Sequence, residues 1–451
     1  MKIFNDWKLL FEKPNWASNP EFGLIDTIIE KHPELYDIVK SEITLKESIT
    51  NFGRKDTPTV EQIVRAAIFK EMRGLDYREL AHAQEDSRIC ELFIKLDYRE
   101  PFSYQVFQKY ISRISAESLH KLLVEVNKIA IEEGLEDVCR IRQDSTVVES
   151  NIHYPTNNSL VWDCIRVSCE LLEKLKAEIS DFCYTDYRKG AKKVYFKINV
   201  TKSGDKRIDL FNKQLLTFAK TINEVTEMVK KKAPTPYAAA LLMQLEDTLK
   251  VMRQIYDIAY RKEIKGEVVP NAEKLFSIFE RHTDIIVKGS REVKFGHKVN
   301  LVTGGSQLIL DIDTLLGNPS DSTLYQPSIN RVVENYQVVP RDSTTDGGYA
   351  SLDNMDYSTK LGITNVVFNK IVGSLKNRTT SDNMETRLKK WRSGIEANIS
   401  NWKRGYNIRR CNWKGLKHFK AKVLWSALAY NFRVLTGLML ERLKQVQASI
   451  A

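Results

Sequence analysis

Strand-like sequence is scarce in this chain, and it comes in pieces that lie far apart. One β-prone run, Val138-Cys-Arg-Ile-Arg-Gln-Asp144, stands alone after a helical stretch; the next strand-like runs begin past residue 291. Between them, 151–290 reads as long amphipathic helices: 162–179, 208–231 and 238–262, the last two parted by Pro234 and Pro236. A chain built this way folds as a mixed α/β protein whose sheet is assembled across a helical insertion. The alternating run reads as a strand ending at Asp144. The segment 187–202 reads as a short ribbon or loop.

Past residue 291, 297–303 and 308–313 read as two strands, with Gly304-Gly305 making a hairpin turn. The segment 321–338 reads as helix broken at Pro327. A short strand should precede Asp346, with Gly347-Gly348 turning the chain after it, and 363–368 reads as another buried strand. From Ser381 onward the pattern is helical, punctuated by Gly405 and Gly415.

Ahead of the first strand the chain is helical. One helix is expected over 23–31, another after Pro33, and a series of short ones over 58–125. In that series Val60, Ile63, Val64, Ala67 and Ile68 share a face and Thr57-Pro58 offers an entry. Such a series suits a DNA-binding bundle of helix-turn-helix type or a plain bundle supporting a dimer.

The charge is concentrated. Residues 387–422 hold twelve Lys/Arg and one acid, Glu396, so this segment alone carries a net charge equal to the +11 of all 451 residues. It also holds Trp391, Trp402 and Trp413. Basic side chains neutralise phosphates and aromatic rings stack on bases, so the segment points to nucleic acid. A carboxylate retained there makes sense as ligand to a divalent cation that the nucleic acid also binds. The six cysteines form no CxxC pair, which fits free thiols rather than a disulfide scaffold or zinc site. The first residues are too charged for a signal peptide, and no apolar run approaches the roughly 20 residues that span a bilayer. A cytoplasmic protein, nucleoid-associated when bound to DNA and without a membrane partner, is the expectation.

Asp144, Asp346 and Glu396 lie on separate elements of one mixed sheet and its helix. Three such acids can converge on paired divalent cations that stabilise an in-line phosphoryl displacement. Arg392, four residues before Glu396, and Lys403, seven after, fall within roughly 40° of its direction on a continuous helix. One face would then present Arg, Glu and Lys together. Other acids compete for roles: Asp311 and Asp313 as a strand end and turn or as alternative ligands, Asp321 as a helix cap, Asp342 in the turn or strand before Asp346, Glu149 on the surface or lining the site. His153 and the basic runs Arg188-Lys189, Lys192-Lys193 and 230–232 are further possible DNA contacts.

Asp144-Ser-Thr, Thr345-Asp346-Gly-Gly-Tyr-Ala-Ser and the Arg392/Glu396/Lys403 spacing resemble the signatures of bacterial insertion-sequence transposases of the DDE class. Lys414-Gly-Leu and Ala427-Leu-Ala-Tyr-Asn431 resemble that family's C-terminal tail, and 59–114 its N-terminal helical domain. The resemblance implies an RNase H-like mixed sheet with flanking helices, an all-α N-terminal domain and a helical insertion after the first core strand. The expected division is 1–125 (DNA binding or dimerisation), 126–150 and 291–420 (catalytic core), 151–290 (insertion) and 421–451 (C-terminal helix).

It also implies Asp144, Asp346 and Glu396 as catalytic and metal-binding residues, with Mg²⁺ as cofactor and Mn²⁺ as a substitute. Arg392 and Lys403 are expected to contact DNA near the cleaved strand, with Arg404, Arg409, Arg410, Lys414 and Trp402 as further DNA-binding residues. The substrate would be double-stranded DNA, the element's terminal inverted repeats and a target, handled by a homodimer in cut-and-paste transposition. A non-catalytic DNA-binding derivative and a nuclease that cuts without joining stand as alternatives. Where some branches of the family carry Tyr three residues before the Arg, this chain has Lys389; Trp391 or Tyr406 is the candidate for stacking instead.

Overall fold

A computed structural model describes residues 19–44, 57–96, 99–179, 182–288, 292–371 and 373–450. The N-terminal run read for a signal peptide lies outside them. The chain divides into two compact units, one of residues 1–149 and 296–451, the other of residues 150–295.

Among the described residues the helices of the first unit ahead of its sheet are α1 (Pro20–Lys31), α2 (Glu34–Ile43), α3 (Val60–Arg73), α4 (Tyr77–Asp86), α5 (Arg88–Ile94), α6 (Tyr104–Ile111) and α7 (Ala116–Glu132). Local sequence explains their starts. Thr59, rather than the expected Thr57-Pro58 entry, caps α3 in a reciprocal box with Gln62, and Asp76 does the same for α4 with Glu79. Gly74, in the left-handed region, ends α3.

Strand β1 (Arg140–Ser150) does not end at Asp144 as the alternation suggested but runs six residues further. Thr146, Val147 and Val148 continue the β-branched pattern and pair with the neighbouring strand, which keeps the backbone extended.

The second unit carries α8 (Asn157–Glu178), α9 (Arg188–Val200), α10 (Asp205–Val229), α11 (Pro236–Ala259) and β2 (Asp284–Lys288). Here α9 replaces the expected ribbon. Ala191 and Ile198 are buried seven residues apart, a helical repeat that packs into this unit's own core, and tertiary packing outweighs weak local propensity.

The remaining elements are β3 (Glu292–Thr303), β4 (Ile309–Thr314), α12 (Tyr325–Tyr336), β5 (Asp342–Asp346), α13 (Leu352–Leu361), β6 (Asn365–Asn369), α14 (Asp382–Arg392), α15 (Gly394–Gly405), β7 (Arg410–Cys411) and α16 (Leu416–Ile450). Pro327 does not break α12. It sits in the first turn, where its missing N–H costs nothing. The sheet of the first unit runs β4-β3-β1-β5-β6, with β7 also on β1. Strands β1, β3 and β4 are antiparallel, and β1, β5 and β6 parallel. This mixed sheet with flanking helices is the RNase H-like arrangement expected above.

Helix α16 packs along α3 and α7 and shares one apolar core with the N-terminal helices and the sheet. It corrects the reading that no segment is long and apolar enough to cross a bilayer: Leu416–Ser449 is, by length and composition. The apolar window is 67% buried within the protein, as a core helix is.

The D-x-D pair lies within β4 rather than at a strand end and turn. Asp311 is fully buried and accepts both Nε and Nη2 of Arg331, at 3.0 and 2.8 Å, while His120 Nε2 lies 3.2 Å away. Burial alone would raise its carboxyl, but the hydrogen bonds and charges of His120 and Arg331 outweigh this and hold it below the usual range. A lowered folded-state value means stability present above the unfolded value of roughly 4 and lost as pH falls through the folded one. Asp311→Asn is therefore expected to weaken urea resistance at pH 7 by about 3 kcal/mol. It should also flatten the loss of stability below about pH 4. An unchanged unfolding midpoint at pH 7 would contradict this.

Candidate active site

The geometry starts from strand register. The parallel β1–β5 ladder ends with Gln143 matched to Thr345, so Asp144 and Asp346 are the residues directly past its last pair, where β5 ends. Gly347 lets the chain turn there: a Cβ would stand 2.4 Å from the Lys370 carbonyl oxygen, which is backbone and cannot yield.

Glu396 comes from the helical segment after β6. The expected single helix is two helices. Helix α14 ends at Arg392, Ser393 turns its hydroxyl onto the Lys390 carbonyl, and α15 restarts at Gly394. Gly394 is required by close approach, since a Cβ would stand 2.5 Å from Nη1 of Arg142. That guanidinium is pinned by Thr303 Oγ1 at 3.1 Å, the Trp391 carbonyl at 2.7 Å and the Trp391 ring at 4.8 Å. Burial pulls Arg142 down to about 10, still charged at neutral pH. Glu396 thus falls in the first turn of α15, where the helix dipole favours an anion.

The three acids meet on one cation that the chain supplies. Arg392 donates from Nη2 to Asp144 at 2.8 Å and from Nη1 to Glu396 at 3.0 Å, and its Nη2 lies 3.8 Å from Asp346. Side-chain exposure rises from 6% for Arg392 and 18% for Asp144 to 46% for Asp346 and 68% for Glu396, so the cluster opens outward. The Nε of Arg392 is buried without a hydrogen-bond partner among the described residues.

A fourth carboxylate supports the floor. Asp321, expected as a helix cap, is the first residue of a short 3-10 turn; it accepts from Ser145 Oγ at 3.0 Å and Lys298 Nζ at 3.1 Å. Lys403 reaches the strand: its Nζ donates to the Val147 carbonyl at 2.6 Å.

The donor chemistry suits a hard divalent cation, because ionised carboxylates are what Mg²⁺ takes. Among the described residues no three His, Cys, Asp or Glu side chains close round one point as an ion's shell would. Asp144, Asp346 and Glu396 are instead spread over the guanidinium of Arg392.

The other expected contacts separate. Arg404, Arg409, Arg410 and Lys414 are exposed, Arg410 pairing with Glu149 at 3.2 Å. Trp402 is not available to DNA: it is fully buried and donates from Nε1 to Ser426 Oγ. Tyr406 is buried too, its hydroxyl on the Ala429 carbonyl, whereas Trp391 is half-buried. Asp342 opens β5 and is buried beside Arg341. In the second unit His153 stands 3.6 Å from Asp163, and Lys189, Lys192, Lys193 and Lys197 are exposed along α9.

Arg140 and Arg142 were missed. Both are on the face of β1 that carries Asp144, and their i, i+2, i+4 spacing in a run already read as a strand was the available signal.

Residues 282–432 match the family model described as the transposase DDE domain. The match includes Asp346, Arg392, Glu396 and Lys403 and leaves out β1 with Asp144. No curated protein and no solved structure matches the chain.

Proposed function

From a chain that carries a transposase DDE domain, we propose a DNA transposase that cleaves phosphodiester bonds at the ends of its own mobile element and transfers the freed 3′-hydroxyls to target DNA. The observation that carries this reading is the meeting of Asp144, Asp346 and Glu396 around Arg392. Mg²⁺, or Mn²⁺ in its place, would be held by these three carboxylates and would supply charge stabilisation of the attacking and leaving oxygens.

The chain's own residues do the rest. Asp144 is oriented by the Ser145 amide, which donates to Oδ1 at 2.8 Å. Lys298 and Ser145 fix Asp321 beneath it. Arg392, with a spare buried N–H, is placed to turn from carboxylate to phosphate, the other anion that offers its planar fork two oxygens. In cleavage, water adds to phosphorus and the 3′-oxygen leaves with a proton. In joining, that 3′-hydroxyl adds to a target phosphorus and a new 3′-hydroxyl leaves, so each bond broken is matched by one formed. Two ends processed in concert call for a dimer on the DNA.

The test uses duplexes from the gene's own flanks, incubated with Mg²⁺ or EDTA, beside Glu396→Ala and Asp144→Asn. End-specific cuts and joined products in Mg²⁺ alone are expected from the wild type. Either variant should lose more than the roughly 10–100-fold that removal of a metal-supporting partner costs. Cuts without joined products would leave a nuclease; binding without cuts would leave a DNA-binding protein.

A further inference from the structure

A cavity of about 360 Å³ opens at the start of β1 and β5, lined by Arg140, Arg341, Asp342, Arg387, Lys390 and Trp391 among others. Arg341 is paired with Asp342 at 2.7 Å. Arg140, Arg387 and Lys390 are exposed, and the described residues show no ion-pair partner for them. Three uncompensated cations round one cavity favour a multiply charged or phosphate-bearing ligand.

The apolar part is equally specific. Trp391 faces the cavity with the Arg140 guanidinium 5.8 Å from its ring centroid, while Met384 and Leu388 complete the wall. A cavity of this size lies in the range of small-ligand sites. Phosphate-binding cations around an indole match both halves of a nucleotide, the anion and the flat base.

Its position relates it to the acids. Arg140, Arg142 and Asp144 share one face of β1, with the end of α14 across that face. Arg140 stands four residues from Asp144, about 13 Å along the strand at roughly 3.3 Å per residue. A nucleic-acid strand running from the carboxylates along β1 would meet this cavity a few nucleotides away.

We propose that the cavity bounded by Arg140, Arg341, Arg387, Lys390 and Trp391 holds one nucleotide of the DNA strand whose backbone crosses the acids, its phosphate on the cations and its base against Trp391. This rests on the DNA reading above and adds a binding site outside the three acids.

The experiment measures binding of a labelled flank-derived duplex to the full chain in EDTA across a salt series, for wild type and for Arg387→Ala/Lys390→Ala. Both side chains are exposed, so the variant should keep the wild-type melting temperature. Each lost phosphate contact removes about 0.9 from the slope of log K against log salt, so the variant's slope should be shallower by about two. Trp391→Ala should weaken binding about tenfold or more, through lost stacking. A variant slope equal to the wild type's overturns the cavity assignment and leaves the DNA reading standing. A wild type that binds no duplex overturns both. Free deoxynucleoside monophosphate serves as the second probe: if it binds the wild type at micromolar concentration, is lost in the double variant and displaces no duplex, the site takes a free nucleotide and the strand assignment falls.

Discussion

Arg392→Met is expected to destabilise the metal-free protein and make its stability respond to Mg²⁺ more strongly than the wild type's. The substitution keeps a similar apolar stem and removes the guanidinium that contacts Asp144, Asp346 and Glu396. Most of the loss should come from Asp144, the deepest of the three, whose charged hydrogen bond is worth about 1.5–3 kcal/mol. The ion pairs with Asp346 and Glu396 are more exposed and contribute little. Three like charges left facing one another raise affinity for a divalent ion, and an ion that binds only the folded state stabilises it by mass action. Thermal unfolding with and without millimolar Mg²⁺ reads this directly. The variant's midpoint should fall in EDTA and recover in Mg²⁺ by more than the wild type's shift, while cleavage drops by about 10²-fold or more for want of a charge on the reacting phosphate. A variant as stable as the wild type in EDTA, with no added response to Mg²⁺, would show that Arg392 does not hold the acids together.

The largest stability effect is expected at Glu71. This residue of α3 is 2% exposed and lies between two ammonium groups, Lys70 at 2.9 Å and Lys422 of α16. Burial would raise its carboxyl, but the charges of Lys422 and Lys70 prevail and hold it below the usual range. Burial likewise pulls Lys70 down, and Tyr77 and Trp413 lie under its ammonium at 5.1 and 5.6 Å. Glu71→Ala strands two buried cations, a loss of about 3–5 kcal/mol. Because Lys422 belongs to the C-terminal helix and Glu71 to an N-terminal one, the damage should reach the packing of α16 on α3. Because Glu71 is lowered, its contribution is whole at neutral pH and is lost on acidification. Urea unfolding at pH 7 gives the number; a loss under about 1 kcal/mol would mean that the lysines find water or other partners.

Much of the secondary structure was legible because its causes are local. The apolar face of Val60, Ile63, Val64, Ala67 and Ile68, the β-prone run before Asp144 and the glycines of the β3–β4 turn act within a few positions of themselves. The readings that failed are those where distant contacts outvote local pattern. Strand β1 outruns Asp144 because β3 pairs with it as far as Glu149. The helix through Glu396 is interrupted at Ser393, and residue 394 just after it is held to glycine by Arg142, from a strand some 250 residues earlier. Trp391 and Trp402 look alike in a basic, aromatic segment, yet one borders an open cavity and the other is core.

By itself the sequence determined which residue types were at hand: three acids on separable elements, a segment rich in cations and indoles, and helices and strands in an order that calls for a mixed sheet. Only the tertiary structure decided that Asp144 and Asp346 follow directly on the last pair of the β1–β5 ladder, that Arg392 bridges all three acids, and that Arg140, Arg341, Arg387 and Lys390 surround a single cavity. The physical reason is range. Propensity, capping and periodicity are short-range properties written in adjacent residues. Convergence of side chains from positions 140 to 396 depends on strand register and on which helix face turns inward, and these are set by the packing of the whole core.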